Sequence, residues 1–286
     1  MTFGIYAFPR DRSEAEAAAD LAELYGFESL GTGDHIRHPR IPEDPVMDGW
    51  SLVAAWATMT QRVRIGVFVT NLIYRDPVLL AKQATTVDQL SDGRLDLGLG
   101  TGVYETDHLM SGVEIWSPAE RVARLGEALD IVDGLLRGRL DRYQGRFYTF
   151  EQAAVSPRPF QTPRPPLTVA AEGPRMLRLA AEHADRWMTF GGFADADEIE
   201  AKTRSRISFL RQASVELGRD PEALRRALFV FPPLEPWASA DGFRGLVDRY
   251  TKIGVQEFFF PIPRDDQMSA FEKVAADVLP DYRTNT

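Results

Sequence analysis

"VRIGVFVTNLIYRDPVLLAKQATTVDQLSDGRLDLGLGTG", residues 63–102, contains one strand, one helix and a second strand. Residues 63–69 are rich in β-branched side chains, which are typical of a strand. A helix begins at Asp76-Pro77, with proline at its first position. The second strand, residues 95–99, follows after a short turn. A strand, a helix and a strand in this order predict that the two strands pair in parallel.

Helix faces and helix ends can be predicted from the spacing of apolar and capping residues. The face of the helix after Asp76-Pro77 is predicted to contain Leu80, Ala84, Val87 and Leu90. Ser13 and Glu16 predict a capping box, and Gly26 lies where that helix should end. The predicted buried face of this helix, which begins at Ser13, consists of Ala17, Leu21 and Leu24. A second capping box, Ser117 with Glu120, precedes a face that consists of Val122, Leu125, Leu129, Val132 and Leu136.

The same alternation of strands and helices continues along the whole chain. We predict eight main strands, at residues 3–8, 27–31, 63–69, 95–99, 167–171, 186–190, 227–231 and 255–260. The other predicted helices are 50–60, 197–217, 241–250 and those that begin at Pro174 and Asp266. Eight strand–helix units predict an α/β fold, a (β/α)8 TIM barrel, in a single domain over residues 1–286. An open, doubly wound sheet uses the same alternation and is the alternative.

Two long segments interrupt the alternation, residues 101–117 after the fourth strand and residues 138–166 before the fifth. Within the second insertion, residues 143–150 have aromatic side chains on both sides of a glycine, which predicts a small hairpin. Residues 156–166 contain too many prolines for a helix, and we expect them to form an extended connector.

The composition excludes several classes of protein. The formal net charge is −9, which argues against nucleic acids and anionic membranes as partners. No apolar run approaches the roughly 20 residues of a membrane-spanning helix. Cysteine is absent, which excludes disulfides and thiol chemistry and fits a reducing cytoplasm. We therefore expect a cytoplasmic protein that acts on a small-molecule substrate.

The active site of a TIM barrel lies at the carboxyl ends of its strands, so the residues that follow each strand are the candidates. The second strand ends at Asp34-His35, and His38 follows three residues later. Glycines follow the fourth, fifth and sixth strands, where backbone N–H groups can approach an anion. Gly173-Pro174 leads directly into a helix, and a helix N-terminus is suited to a phosphate.

Three common kinds of site are not supported by the sequence. Only one strand end carries histidine, so no metal site is expected. The nucleophile elbow of a serine hydrolase is not recognisable, and Gly98, Gly100 and Gly102 have the wrong spacing for a dinucleotide fingerprint. A titratable histidine beside glycines and aromatic residues favours a planar cofactor that carries out the chemistry itself.

Four blocks of the sequence together resemble one protein family. The most specific block comprises residues 70–77, 90–95 and 97–102. The others are Gly26-Phe27-Glu28-Ser29 with Asp34-His35, then residues 117–121, and then residues 177–187. With these blocks the chain is similar to the luciferase-like monooxygenase superfamily, in the branch of oxidoreductases that use the deazaflavin coenzyme F420.

The resemblance implies a TIM barrel, usually a homodimer, with the cofactor ring in the barrel mouth. It puts Asp34-His35 at the position of the active-site histidine and a non-prolyl cis peptide near Phe68-Val69. It puts Thr101-Gly102 at the ring edge, and it puts residues 171–174 and Gly191-Gly192 at the phosphate. The cofactor contacts that it implies are Phe68, Val69, Thr70, Asn71, Thr101, Gly102, Ala171, Glu172, Gly173, Pro174, Gly191 and Gly192.

Two positions depart from the related sugar-phosphate dehydrogenases. Those enzymes carry a glutamate directly after Gly-Thr-Gly, where this chain has Val103 and its nearest carboxylate is Glu105. They also carry a lysine at the position of Phe193. Both departures argue against a sugar phosphate as the substrate.

We expect hydride transfer between C5 of the deazaflavin and a small organic substrate, as a reductase or a dehydrogenase. His35 would donate or accept the substrate proton, and Asp34 would either orient His35 or bond the backbone at the strand end. One alternative is a monooxygenase that receives reduced flavin mononucleotide (FMN) from a separate cofactor-reducing enzyme. Another is a flavin- or deazaflavin-binding protein without turnover.

The remaining candidates are the other histidines and three aromatic residues. His38 is expected in a solvated loop, His183 is expected to be structural, and His108 is a further candidate for the site. Three aromatic residues either wall the substrate pocket or only pack in the core and the insertion: Tyr104, Trp116 and Phe231.

Overall fold

Eight parallel strands close into a barrel in the computed structural model, which describes residues 1–190 and 194–283. The barrel strands are β1 (Thr2–Tyr6), β2 (Ser29–Thr32), β3 (Arg64–Asn71), β4 (Leu95–Gly100), β7 (Leu167–Ala170), β8 (Arg186–Thr189), β9 (Arg225–Phe229) and β10 (Glu257–Pro261). They follow one another around the barrel in chain order, and β10 pairs with β1. The predicted TIM barrel is confirmed, and the open sheet is excluded.

Helices outside the barrel follow its strands, and the last two come after β10. They are α1 (Arg12–Leu24), α2 (Gly49–Met59), α3 (Pro77–Leu90), α4 (Glu105–Ser111), α5 (Pro118–Leu136), α6 (Pro174–His183), α7 (Ala196–Glu216), α8 (Ala240–Thr251), α9 (Met268–Asp277) and α10 (Leu279–Arg283). The short helix α4 lies in the first insertion. The hairpin of β5 (Tyr143–Gln144) and β6 (Thr149–Phe150) lies in the second, as predicted. None of the helices in the described part of the chain is both long enough and apolar enough to cross a membrane.

Helix α3 begins as predicted, because the Asp76 carboxylate accepts hydrogen bonds from the backbone N–H groups of Val78 and Leu79. Leu80, Ala84 and Val87 are buried. Leu90 is 49% exposed, which contradicts its predicted burial. The next residue, Ser91, is fully buried in its place. Successive residues of a helix point about 100° apart, so Leu90 faces the solvent when Ser91 faces the core.

The predicted cap and face of α1 are wrong. Asp11, not Ser13, caps this helix by accepting a hydrogen bond from the Glu14 N–H. Its buried residues are Ala15, Ala18, Ala19 and Ala22. Ala17 is exposed, Leu21 is only half-buried, and Leu24 is 77% exposed, because the helix packs through its other alanines and turns the predicted face outward. Gly26 ends the turn with a φ of 71°, as predicted.

Helix α5 fits its prediction. The Ser117 side chain accepts a hydrogen bond from the Glu120 N–H, which is the expected cap. Four of the five predicted face residues are buried, and Val122 at the start of the helix is half-buried. The buried ones are Leu125, Leu129, Val132 and Leu136.

An ion cluster with a buried centre, formed by Arg186, Asp96 and Glu257, lies at the start of the barrel strands. Arg186 on β8 contacts Asp96 on β4 over 3.0 Å and Glu257 on β10 over 2.6 Å. Arg64 on β3 contacts Asp96 over 2.6 Å, and Arg225 on β9 pairs with Glu257. Burial acts to raise the pKa of Asp96, but the guanidinium groups of Arg186 and Arg64 outweigh it, and the net shift is downward. The cluster joins five of the eight barrel strands.

Replacing the central arginine, in an Arg186→Met variant, is expected to lower the free energy of unfolding by about 3–5 kcal/mol, because two buried carboxylates lose their common partner. Urea denaturation followed by tryptophan fluorescence measures this loss. The matched control is Arg12→Met, which removes an exposed pair with Glu16 and should stay within about 0.5 kcal/mol. Equal effects of the two substitutions would contradict the role assigned to the cluster.

Candidate functional site

A cavity of about 560 Å³ opens at the carboxyl ends of the barrel strands. This volume lies within the range of small-molecule sites. Every barrel strand, or the loop directly after it, contributes to the lining. Taking one lining residue for each of the eight strands, in chain order, these are Tyr6, His35, Phe68, Thr101, Ala170, Met188, Phe229 and Pro261.

The floor of the cavity is an apolar cluster separate from the main core, with Tyr6, Phe68, Met188, Phe229 and Phe259 among its members. The rings of Tyr6 and Phe229 meet edge to face at 4.2 Å between centroids, and those of Phe68 and Phe259 at 4.8 Å. Burial raises the pKa of Tyr6, so its hydroxyl stays neutral. The peptide bond between Phe68 and Val69 is cis, at the position that the resemblance implies.

The glycines after β4 make room for the side chains at the end of β3. A Cβ on Gly100 would lie 2.3 Å from Val69 Cγ2, and a Cβ on Gly102 would lie 2.3 Å from Asn71 Oδ1. Gly102 also has a φ of +69°, which favours glycine. These two glycines are therefore explained by contacts within the protein.

His35 lies in the wall of the cavity, and its neighbours fix the orientation of its ring. Its Nδ1 is 3.3 Å from Oδ2 of Asp107, and the Asn71 side-chain amide donates a 2.8 Å hydrogen bond to the same oxygen. The Tyr104 ring stands edge to face against His35 at 5.5 Å. Because a carboxylate only accepts hydrogen bonds, Nδ1 carries a proton, and Nε2 remains to exchange a proton with a ligand.

Asp107 is the residue of this site that the sequence interpretation misses. Of its neighbours, Glu105 is exposed, and His108 is buried with its ring edge-on to Trp116 at 5.2 Å. Among the described residues, neither His108 nor Trp116 lines the cavity. Asp107 reaches His35 through α4 in the insertion after β4, and no local pattern in the sequence points to this contact.

Asp34 contacts groups other than the His35 ring. Its carboxylate accepts a 3.0 Å hydrogen bond from the Asn71 N–H and 3.1 Å and 2.7 Å bonds from the Arg75 guanidinium. Its backbone carbonyl accepts a 2.6 Å bond from the Tyr74 hydroxyl. Burial raises the pKa of Asp34, and Arg75 acts in the opposite direction. Of the two roles considered for Asp34, this geometry matches bonding at the strand end.

His38 lies in the loop after β2, as predicted, but it is half-buried and lines the cavity. Its Nδ1 accepts hydrogen bonds from the backbone N–H groups of Arg40 and Ile41 at 3.3 Å and 2.9 Å. Its ring contacts Phe8 at 5.1 Å, and the residue lines the cavity. Burial lowers the pKa of His38, which keeps Nδ1 available as an acceptor.

The opposite wall is built by the ends of β7 and β8. Glu172 accepts a 2.7 Å hydrogen bond from the Thr189 hydroxyl and pairs with Arg206, and burial raises the pKa of its carboxyl. Ala171 is buried, whereas Gly173 and Pro174 are exposed at the start of α6. A Cβ on Gly173 would meet no atom within 4 Å, so the space before this helix is open. Gly191, Gly192 and Phe193 lie outside the described residues.

The remaining candidates divide between the cavity and the outer surface. Tyr104 and Phe231 line the cavity, together with the six expected contacts on β3 and after β4. Those six are Phe68, Val69, Thr70, Asn71, Thr101 and Gly102. His183 is in the last turn of α6, where its Nδ1 lies 3.8 Å from Asp130. Within residues 1–190 and 194–283, no group of three or more histidine, aspartate and glutamate residues could hold a metal ion.

Comparisons with known sequences identify one family. The sequence model of the luciferase-like monooxygenase family matches residues 1–236. An uncharacterised protein of Mycobacterium tuberculosis is 30% identical over 297 residues, which cover 96% of this chain and 98% of that protein. A phthiodiolone/phenolphthiodiolone dimycocerosates ketoreductase of Mycobacterium sp. (strain JLS) is 34% identical over 197 residues, which cover 68% of this chain and 49% of the ketoreductase.

Solved structures share the fold at low sequence identity. An F420-dependent tetrahydromethanopterin reductase from Methanopyrus kandleri matches with a TM-score of 0.80 and 19% identity over 98% of this chain and 99% of that chain. An F420-dependent secondary alcohol dehydrogenase matches with a TM-score of 0.82 and 18% identity over 96% and 97%. A monooxygenase from Streptomyces bottropensis matches with a TM-score of 0.81 and 22% identity over 99% and 100%.

Because Arg75 pairs with Asp34, an Arg75→Met substitution is expected to lower the free energy of unfolding by an amount that depends on pH. A carboxyl whose pKa is raised in the folded state favours folding below its unfolded pKa and opposes folding as the pH rises through the folded value. Without Arg75 the Asp34 pKa rises further, so the variant should lose about 3–5 kcal/mol when Asp34 is ionised. The loss should be clearly smaller at about pH 5 than at about pH 8 in urea denaturation.

The matched control for this effect is the double variant Asp34→Asn with Arg75→Met. It has no carboxylate at position 34, so its free energy of unfolding should not show the fall from about pH 5 to about pH 8 that is expected of Arg75→Met. A loss in Arg75→Met that is equally large at both pH values would show that Asp34 is not the group responsible.

Proposed function

The chain belongs to the luciferase-like monooxygenase family, and we propose that it is an F420-dependent oxidoreductase that acts on an organic substrate. The observation that carries the proposal is His35, oriented by Asp107 and Asn71 in the wall of a cavity with an apolar floor. Two structural neighbours that are named as F420-dependent support the choice of cofactor. A proton carrier held in this way favours an enzyme over a binding protein without turnover.

The residues of the cavity fit a planar cofactor. Phe68, Met188 and Phe229 give an apolar surface, and Asn71, Thr101 and His35 provide polar groups along one wall. The open space before Gly173 leaves the N-terminus of α6 accessible. When it is bound, a deazaflavin gives or takes a hydride at C5, and the protein supplies orientation and proton transfer.

We assign the ring and the phosphate to different parts of the mouth. Phe68–Asn71 with Thr101 and Gly102 would hold the ring, because all of them line the cavity. The start of α6 at Gly173-Pro174 would hold the phosphate, since N–H groups of the first turn and the helix dipole favour an anion there. Arg206 pairs with the Glu172 carboxylate beside this position, which reduces repulsion of a bound phosphate.

His35 is assigned to proton transfer. Its Nδ1 faces Asp107, so Nε2 is the nitrogen that donates a proton to a substrate oxygen or accepts one from it. Asp107 acts as a positioning residue because it holds the ring in one tautomer and one orientation. Asn71 acts through Asp107 by fixing the oxygen that faces His35.

A flavin-dependent monooxygenase is the second candidate. The Streptomyces bottropensis monooxygenase matches as much of the chain, with a TM-score of 0.81, as the F420-dependent neighbours do. An apolar floor with polar groups on one wall suits the ring of either cofactor. Cofactor binding therefore discriminates between the two candidates.

Titration of the protein with oxidised F420 and with FMN is expected to show saturable binding of F420 at least about tenfold tighter than that of FMN. A Gly173→Glu substitution, which puts a carboxylate in the open space before α6, should weaken F420 binding by about tenfold or more. The control is Gly245→Glu, because an added Cβ at Gly245 on α8 also meets no atom within 4 Å. FMN binding without F420 binding would contradict the proposal and favour the monooxygenase.

Removing the imidazole, in His35→Ala, is expected to lower kcat by about 10²–10⁴-fold, the usual contribution of a general acid or base. The Kd of F420 should stay within about twofold, well under the tenfold change that 1.4 kcal/mol produces. His183→Ala, on the outside of the barrel, should leave both quantities unchanged.

An Asp107→Asn variant separates positioning from proton transfer. It should retain more activity than His35→Ala, and it should change the pH profile of kcat/KM, because the neighbour of His35 Nδ1 changes from a carboxylate to an amide. Turnover by His35→Ala equal to that of the wild type would remove His35 from the reaction.

A further inference from the structure

Apolar side chains are exposed along one side of the barrel mouth. Ile36 and Ile41 follow β2, Ile262 follows β10, and the insertion after β4 exposes Val103 and three more apolar residues. The three are Leu109, Met110 and Ile115, which are 69%, 48% and 46% exposed. Exposed apolar groups collected in one place mark binding sites more often than scattered ones do.

Three of these residues also line the cavity, and we call Ile41, Val103 and Ile262 the apolar rim. They are 49%, 64% and 36% exposed, so they contact both the cavity and the solvent. They belong to the loops after β2, β4 and β10, which lie along the arc β10, β1, β2, β3 and β4 of the barrel. The apolar rim is therefore continuous with the interior of the site.

The ends of β7 and β8, away from the apolar rim, carry a polar group. Glu172, Thr189 and Arg206 form a hydrogen-bonded group at the ends of β7 and β8. This is the side that we assign to the cofactor phosphate. The two sides of the mouth therefore differ in the kind of ligand that they can hold.

Two arginines near the apolar rim, Arg264 and Arg40, have partners within the protein. Arg264 contacts Asp266 at 3.2 Å and Glu235 at 3.7 Å, and Gln267 donates a 3.2 Å hydrogen bond to Glu235. Arg40 lies over the Phe231 ring at 4.9 Å. A strongly charged ligand on this side would have to displace these contacts, whereas an apolar ligand would leave them in place.

We propose that the substrate is lipophilic, with one carbonyl or hydroxyl group at His35 and an apolar body against the apolar rim. The proposal rests on the proposed function, in which His35 faces the substrate oxygen. Phe8, Phe231 and Leu234 also line the cavity and extend its apolar surface. The ligand class is an alkyl or aryl ketone, or the corresponding alcohol.

Binding of alkan-2-ones of increasing length tests the proposal without turnover. Calorimetric titration of the full chain with 2-butanone, 2-hexanone and 2-octanone, in the presence of oxidised F420, gives the Kd of each. Affinity should rise roughly three- to fourfold for each added methylene, the value for burial of one methylene. Equal affinity across the series, or tighter binding of glucose 6-phosphate than of 2-octanone, would overturn the proposal.

Variants of the apolar rim test whether these residues cause the rise in ketone affinity with chain length. Ile41→Ser combined with Val103→Ser should reduce the gain in affinity from 2-butanone to 2-octanone by about tenfold or more. The matched control is Leu24→Ser combined with Leu90→Ser, which changes two exposed leucines on outer helices and should leave the gain unchanged. An unchanged gain in the apolar-rim variant, with dissociation of a wild-type oligomer, would overturn the proposal and identify the rim as a subunit interface.

The design distinguishes failure of this inference from failure of the proposed function. If F420 binds and the ketone series is flat, the lipophilic substrate is wrong and the cofactor assignment stands. If F420 does not bind but affinity still rises with chain length in its absence, the cofactor assignment is wrong and the apolar site stands.

Discussion

Five of the eight barrel strands carry a member of one ion cluster at or next to their first residue, and the buried Arg186 is at its centre. An ion inside a barrel is tolerated only when its partner is in place, because an unpaired buried charge is costly. A strand that slipped by one residue would turn its charge away from the interior. The cluster therefore favours one register of these strands. The register in turn decides which residues lie at the opposite end of the barrel.

At the opposite end of the barrel, the end of β3 contacts more than one of the loops around His35. Asn71, the last residue of β3, donates its backbone N–H to Asp34 and its side-chain amide to Asp107. Val69 and Asn71 fill the spaces beside Gly100 and Gly102. One strand end therefore positions the loop after β2, the turn after β4 and the carboxylate that faces His35. The geometry of the proposed proton carrier follows from the packing of β3 against β4.

The barrel was predictable because its signals are local and repeated, as in the strand–helix–strand pattern of residues 63–102. The face of α1 was not, because small alanines allow close packing and the larger Leu24 is left in solvent. His35 was found from its place after a strand. Asp107 was missed, since its role depends on how the insertion folds back onto the barrel, and no local pattern fixes that contact. The same reason applies to the loop of His38.

The carboxylate that faces His35 belongs to α4, a segment inserted between two barrel strands, and not to the barrel itself. The insertion that contains α4 also exposes Val103 at the cavity. If the proposed roles of His35 and the apolar rim hold, substrate selectivity and reactivity depend on one insertion and cannot be changed independently. A loop transplanted from a relative to alter substrate choice would have to bring an acidic side chain in register with His35, or it would remove the neighbour of the imidazole. This constraint limits how such enzymes can be diversified by loop grafting.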